Sequence, residues 1–167
     1  MKIIVSFLLA FLVITVVSGD VFAQERTIIL LRHAEKDLTD PKNPNPELST
    51  EGKQRAQNLL NAVKKYDPEM IYSSMFTRTK GTVRPLADKD SLQIHYYDPR
   101  DLAGLAKILL ESTAKKIIVV GHNNTTPALA NLLIKQEKYK ALDEATYNKI
   151  WVIKIKKDKV KDEVIEY

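Results

Sequence analysis

Apolar residues in this chain fall into short continuous runs, separated by segments with helical spacing. Thr27-Ile28-Ile29-Leu30-Leu31 and Ile117-Ile118-Val119-Val120 are unbroken, the pattern of strands buried on both faces. Met70-Ile71-Tyr72-Ser73 and Leu92 to Tyr96 predict two more strands. Between the first two of these runs, Ala56, Leu59, Leu60 and Val63 recur at helical spacing behind Ser49, which reads as an N-cap. Thr77 to Ala87 predicts a second helix, across Gly81 and Pro85. Asp98-Pro99 opens a third, with Leu102, Leu105, Ala106 and Leu109 on one face. Thr126-Pro127 opens a fourth, with Thr as cap and Pro at the first position. Trp151 to Ile155 and Lys159 to Ile165 alternate, which predicts two closing strands with one wet face.

Strands that alternate with helices predict an α/β fold, a three-layer α/β/α sandwich around a mainly parallel sheet. Ligands of such sheets gather beyond the carboxyl ends of the strands. The two strongest polar clusters, after Leu31 and after Val120, lie at those ends.

The first residues follow a different pattern. Met1-Lys2 precedes an apolar run from Ile3 to Val17, and Val21-Phe22-Ala23 offers small residues at the −3 and −1 positions of a cleavage site. The run falls short of the roughly 20 apolar residues of a comfortable membrane span. This predicts a signal peptide over 1–23 and one domain over 24–167, exported to the periplasm or secreted, with no stable membrane span after cleavage.

Composition narrows the function. The chain has 167 residues, 44% of them apolar and 28% charged, an ordinary globular balance. It has no Cys, so neither a disulfide framework nor a Cys-ligated zinc site can form. Its net charge is +5, much of it in Lys154, Lys156, Lys157, Lys159 and Lys161 near the end. Those lysines alternate with apolar or acidic residues and predict a solvated edge hairpin rather than a nucleic-acid groove. No Gly-x-Ser-x-Gly elbow is present, and no glycine-rich loop follows the first strand. A serine hydrolase and a dinucleotide-binding enzyme are therefore disfavoured.

Arg32-His33 follows the first strand directly. A neutral imidazole nitrogen can attack phosphorus and later leave, and a guanidinium matches phosphate oxygens. His122 and Asn123 follow another strand behind Gly121, close to a helix N-terminus, a natural anion site. Arg78 lies just past a third strand. Two arginines and two histidines on one rim repel one another unless an anion fills the space between them, and a phosphoryl group suits it. The same charges argue against a metal. His95, mid-strand, reads as structural.

These segments resemble the histidine phosphatase superfamily, also called the phosphoglycerate-mutase-like family. The resemblance rests on Leu31-Arg32-His33-Ala34-Glu35, Ser73 to Arg78-Thr79, and Val120-Gly121-His122-Asn123, in that order. It implies a metal-independent phosphatase that needs no cofactor, with His33 as nucleophile and a covalent phosphohistidine intermediate. Arg32, Arg78 and His122 would form the phosphate pocket, with Asn123 beside them. The family usually has glycine where this chain has Ala34, so the turn here must avoid positive φ. By position Asp98 is the candidate general acid, with a helix cap as its other reading, and Glu35 is a second candidate. Asp101 is a poorer one, expected inside the helix.

The chain has no room for the large insertions that cover the site in mutases, which favours simple hydrolysis of a small phosphorylated substrate. The proline-stiffened loop Asp37 to Glu47 is the expected substrate-facing segment, and Lys36 and Lys42 could meet a second anion. Other readings are a phosphohistidine-protein phosphatase, a non-catalytic phosphate-binding module of the same fold, and an unrelated α/β domain. The sequence sets no oligomeric state.

Overall fold

The structure, a computed structural model, describes residues 25–167, and the expected signal peptide lies outside them. Six strands form one sheet: β1 (Arg26–Arg32), β2 (Met70–Ser74), β3 (Ile94–Tyr97), β4 (Lys116–Gly121), β5 (Lys149–Lys156) and β6 (Lys159–Glu166). Their order is β3-β2-β4-β1-β5-β6. The first four strands pair in parallel, and β5 and β6 add an antiparallel hairpin at one edge. Helices α1 (Thr50–Val63), α2 (Thr77–Asp90), α3 (Leu102–Glu111) and α4 (Thr125–Ile134) connect the strands.

The strand period of two divides the core. Ile28 and Leu30 of β1 join Ile117 and Val119 of β4 against Leu105 and Leu109 of α3 and Leu129 and Leu133 of α4. Ile29 and Leu31 turn the other way, with Ile118 and Val120, onto Leu59 and Val63 of α1 and Val83 and Leu86 of α2. This is the expected α/β/α sandwich. The unbroken apolar runs exist because β1 and β4 have helices on both sides.

Helix starts show where local signals competed. Ser49 caps α1 as expected, its Oγ accepting from Gly52 N at 3.1 Å. Asp98 does not cap α3. It accepts from Arg100 N at 3.0 Å in a turn, and Asp101 is the N-cap, accepting from Gly104 N at 2.8 Å. The Asx turn at Asp98 takes up the residues that would have formed the first helical turn. Asn124, not Thr126, caps α4, which places Pro127 at the third helical position, where its missing N–H still costs nothing. Helix α2 runs on to Asp90 through Pro85. Ala34 is fully buried and does not adopt positive φ, so it fits where the family usually has glycine.

Candidate active site

The parallel register brings the functional residues together. Arg32 pairs with Gly121 across β1 and β4, so His33 and His122 leave adjacent strands at the same level. The chain after β1 is tied to its neighbour by His33 N donating to Gly121 O at 2.9 Å. The histidine rings stand 5.5 Å apart, centroid to centroid, edge to face. Ser73 of β2 pairs with Val120, which sets Ser74 beside His122. Arg78 lies in the first turn of α2 and places its guanidinium 4.4 Å from the Phe76 ring centre. The Phe76 ring in turn meets His122 edge to face at 4.9 Å.

Gly121 serves this packing by close approach. A Cβ there would meet Thr125 Oγ1 and Thr126 Oγ1 at 2.9 Å and the Tyr97 hydroxyl at 3.0 Å.

Each histidine has its protons assigned by its partners. His33 Nδ1 lies 2.7 Å from Ala34 O, and a carbonyl only accepts, so Nδ1 carries the hydrogen and Nε2 the lone pair. His122 Nε2 lies 3.0 Å from Ser74 Oγ. Thr79 Oγ1 faces two carbonyls, Ser74 O and Phe76 O, both at 2.8 Å, and so must accept from Ser74 Oγ at 3.0 Å. That uses the Ser74 hydrogen, so His122 Nε2 donates to Ser74 and Nδ1 carries its lone pair.

Both rings are held neutral. Burial, then the charges of Arg78, Arg32 and His122, hold His33 down to about 3 against its backbone hydrogen bond. Burial and the same two arginines hold His122 down to about 4. Burial and the neighbouring Arg32 also lower Arg78. His33 is 4% exposed, yet it sits among cations, an environment that an anion would relieve.

Arg32 is 1% exposed and does more than the expected phosphate contact. Its Nη1 donates to three carbonyls, Asp143 O and Glu144 O at 2.9 Å and Thr146 O at 3.0 Å. Its guanidinium lies 4.1 Å from the Tyr147 ring centre. It therefore clamps the 143–147 segment to the end of β1. Only Nη2 and Nε remain for an anion, and Nη2 already reaches Glu144 Oε2 at 3.1 Å. Arg32 Nε and Arg78 Nε are buried without a hydrogen-bond partner.

The two candidate acids are engaged elsewhere. Glu35 binds Arg55 of α1 through Oε1 and Oε2, at 2.9 and 3.0 Å from Nε and 2.8 Å from Nη2. Its backbone is packed too: a Cβ on Gly52 would come 2.1 Å from Glu35 O. Glu35 thus joins the β1 end to α1. Asp98 is exposed and receives both Nε and Nη2 of Arg100, which hold its carboxyl down to about 2.

A hollow of about 350 Å³ is lined by Arg78, Pro99, Arg100, His122, Asn123 and Thr125. A slightly larger one, about 370 Å³, lies among Leu48, Lys53, Gly81 and Pro85, and its lining includes neither histidine. Convergent chemistry rather than size places the site. The loop from Asp37 to Glu47 is pinned at its base by Asp37 N donating to Glu47 O at 2.8 Å. Asn45 Oδ1 from that loop also accepts from Thr77 N at 2.9 Å, at the start of α2. Lys42 and its neighbours are exposed, whereas Lys36 approaches Glu144 at 4.0 Å. His95 contacts Tyr72 across the sheet at 5.5 Å and takes no part.

Sequence reasoning missed Ser74, Phe76, Glu144 and Tyr147. Ser74 sits beside the quoted Ser73, and strand alternation could have shown that only one of the two faces His122. Glu144 and Tyr147 lie in an aperiodic stretch and meet Arg32 across more than a hundred residues, so no local pattern marks them.

Solved structures share this fold. The protein histidine phosphatase SixA, solved with tungstate, superposes with a TM-score of 0.66 at 16% identity, over 84% of this chain and 96% of its own. A protein from Agrobacterium tumefaciens assigned as the phosphohistidine phosphatase SixA gives 0.64 at 20% identity, over 84% of this chain and 98% of its own. Mycobacterial glucosyl-3-phosphoglycerate phosphatase gives 0.63 at 13% identity, over 86% and 99%. No curated protein matches the chain. Residues 28–100 match the model of the histidine phosphatase superfamily, branch 1, a span that holds Arg32, His33 and Arg78. Over residues 28–100, and in its fold, the chain is thus similar to the histidine phosphatase superfamily.

Proposed function

We propose that the protein is a phosphatase that hydrolyses small phosphomonoesters through a phosphohistidine on His33, without a metal ion. The observation that carries this reading is the state of His33. Its Nδ1 donates to Ala34 O, so Nε2 presents a lone pair among Arg32, Arg78 and His122. A neutral ring held among cations is a nucleophile where phosphate binds.

In this reading His33 Nε2 attacks phosphorus as the ester oxygen departs in line. Arg78 and the free edge of Arg32 stabilise the charge on the equatorial oxygens. His122 Nδ1 takes up a proton as the phosphate arrives, because the anion cancels the repulsion that held the ring neutral. Water then attacks the phosphohistidine and the imidazole leaves.

The exported location predicted from residues 1–23 suits phosphorylated sugars, nucleotides or envelope glycolipids as substrates. A second reading, a phosphohistidine-protein phosphatase, is favoured by the open hollow at His122 and by the similarity to SixA.

The test is phosphate release from p-nitrophenyl phosphate by the purified protein, with a chelator present, beside His33→Ala. Turnover that survives the chelator and vanishes in the variant is the expected result. Turnover retained by His33→Ala would contradict it.

A further inference from the structure

The departing oxygen of an alkyl phosphate needs a proton; Glu35 is turned to Arg55 on α1, and Asp98 faces Arg100 on its own exposed turn. We propose that Glu144 is the general acid of this site, a role that rests on the phosphatase reading above.

Three features place it there. Arg32 Nη1 binds the carbonyls of residues 143, 144 and 146, so the backbone of Glu144 is fastened to the residue preceding His33. The Glu144 carboxylate bridges the two sides of the pocket, with Oε2 at 3.1 Å from Arg32 Nη2 and Oε1 at 2.9 Å from Asn123 Nδ2, beside His122. Lys36 Nζ stands 4.0 Å from Oε2, and Arg78 lies close enough to feel its charge. The donors that hold this carboxylate are therefore those suited to a phosphoryl group.

The side chain is also free to yield. It is 70% exposed, although its partner Arg32 is buried. An incoming phosphate dianion competes for Arg32 Nη2 and Arg78. Two anions then share the same cations. The substrate thus meets Glu144 at the edge of Arg32 that both can use.

The proton balance closes. As His33 Nε2 bonds to phosphorus and the P–O bond breaks, the Glu144 carboxyl gives its proton to the departing alkoxide, which leaves as an alcohol. The carboxylate then takes a proton from water as that water's oxygen bonds to phosphorus. The N–P bonding pair returns to His33 Nε2, and hydrogen phosphate leaves.

The test compares Glu144→Gln with the wild type on two substrates. p-Nitrophenolate departs without a proton, whereas the alkoxide of glycerol 3-phosphate does not. The expected result is a kcat loss of about 100-fold on glycerol 3-phosphate and under about 5-fold on p-nitrophenyl phosphate. Glu144→Asp should restore part of the loss, and thermal melting should show the variants folded. Equal losses on both substrates, no loss, or a gain from removing a competing anion would overturn the assignment. A wild type that turns over neither substrate would overturn the phosphatase reading itself, an outcome visible before any Glu144 variant is made.

Discussion

Two loops flank His122, and each carries a carboxylate. The loop after β3 presents Asp98, and the loop before β5 presents Glu144. Asp98 faces Arg100, two residues away on the same turn. Glu144 faces Arg32 and Asn123, on two other segments. The first pair is closed on itself, whereas the second closes across Arg32 and Asn123. Position along the family pattern favours Asp98, and three-dimensional contact favours Glu144. A carboxylate's chemistry follows from what it faces and whether that partner can be shared.

The strongest way to break the comparison is to remove what both loops surround. His33→Ala should lower kcat by about 10⁴-fold or more on any substrate, since it removes the proposed nucleophile. Arg78→Ala should cost about 10²–10³-fold in kcat with a modest change in stability, because its buried Nε has no protein partner to lose. Steady-state kinetics and thermal melting separate the two effects. Arg32→Ala should instead lose activity and stability together, since three loop carbonyls lose their donor.

The carboxylates themselves come next. Asp98→Asn should change kcat on glycerol 3-phosphate by under about 3-fold, against the roughly 100-fold of Glu144→Gln. Reversed magnitudes would restore the positional assignment.

The smaller effects concern the frame and the protons. Gly52→Ala should destabilise the protein by about 2–3 kcal/mol in denaturant unfolding, as its Cβ meets Glu35 O at 2.1 Å. The histidines give a sign. Both are lowered in the fold, to about 3 for His33 and about 4 for His122. Between those values and 6.5 the unfolded chain binds protons that the folded chain does not. Stability should therefore be full above pH 6.5 and fall as the pH drops toward 4. Vanadate should counter that loss and take up about one proton per site near pH 6, measurable by calorimetry in two buffers.

The sequence showed some of this clearly. Strands β1 and β4 were legible because burial on both faces writes an unbroken apolar run. Their carboxyl ends then pointed to Arg32, His33, His122 and Asn123. Other parts were hidden for physical reasons. Asp98-Pro99 reads as a helix start, but the Asx turn delays the helix to the Asp101 cap. Glu35 stands two residues from His33, yet its carboxylate is taken by Arg55 on α1. The clamp of Arg32 on residues 143–146 is a long-range contact to aperiodic backbone, which no local pattern encodes.

The most direct test of the account is chemical trapping of the phosphoenzyme. The wild-type protein, mixed with p-nitrophenyl phosphate and quenched into alkali within milliseconds, would be digested and its peptides weighed. The account predicts an acid-labile, alkali-stable phosphoryl group on the peptide that contains His33, absent from His33→Ala. Turnover with no phosphoryl group on His33, or with the group on His122 instead, would contradict it.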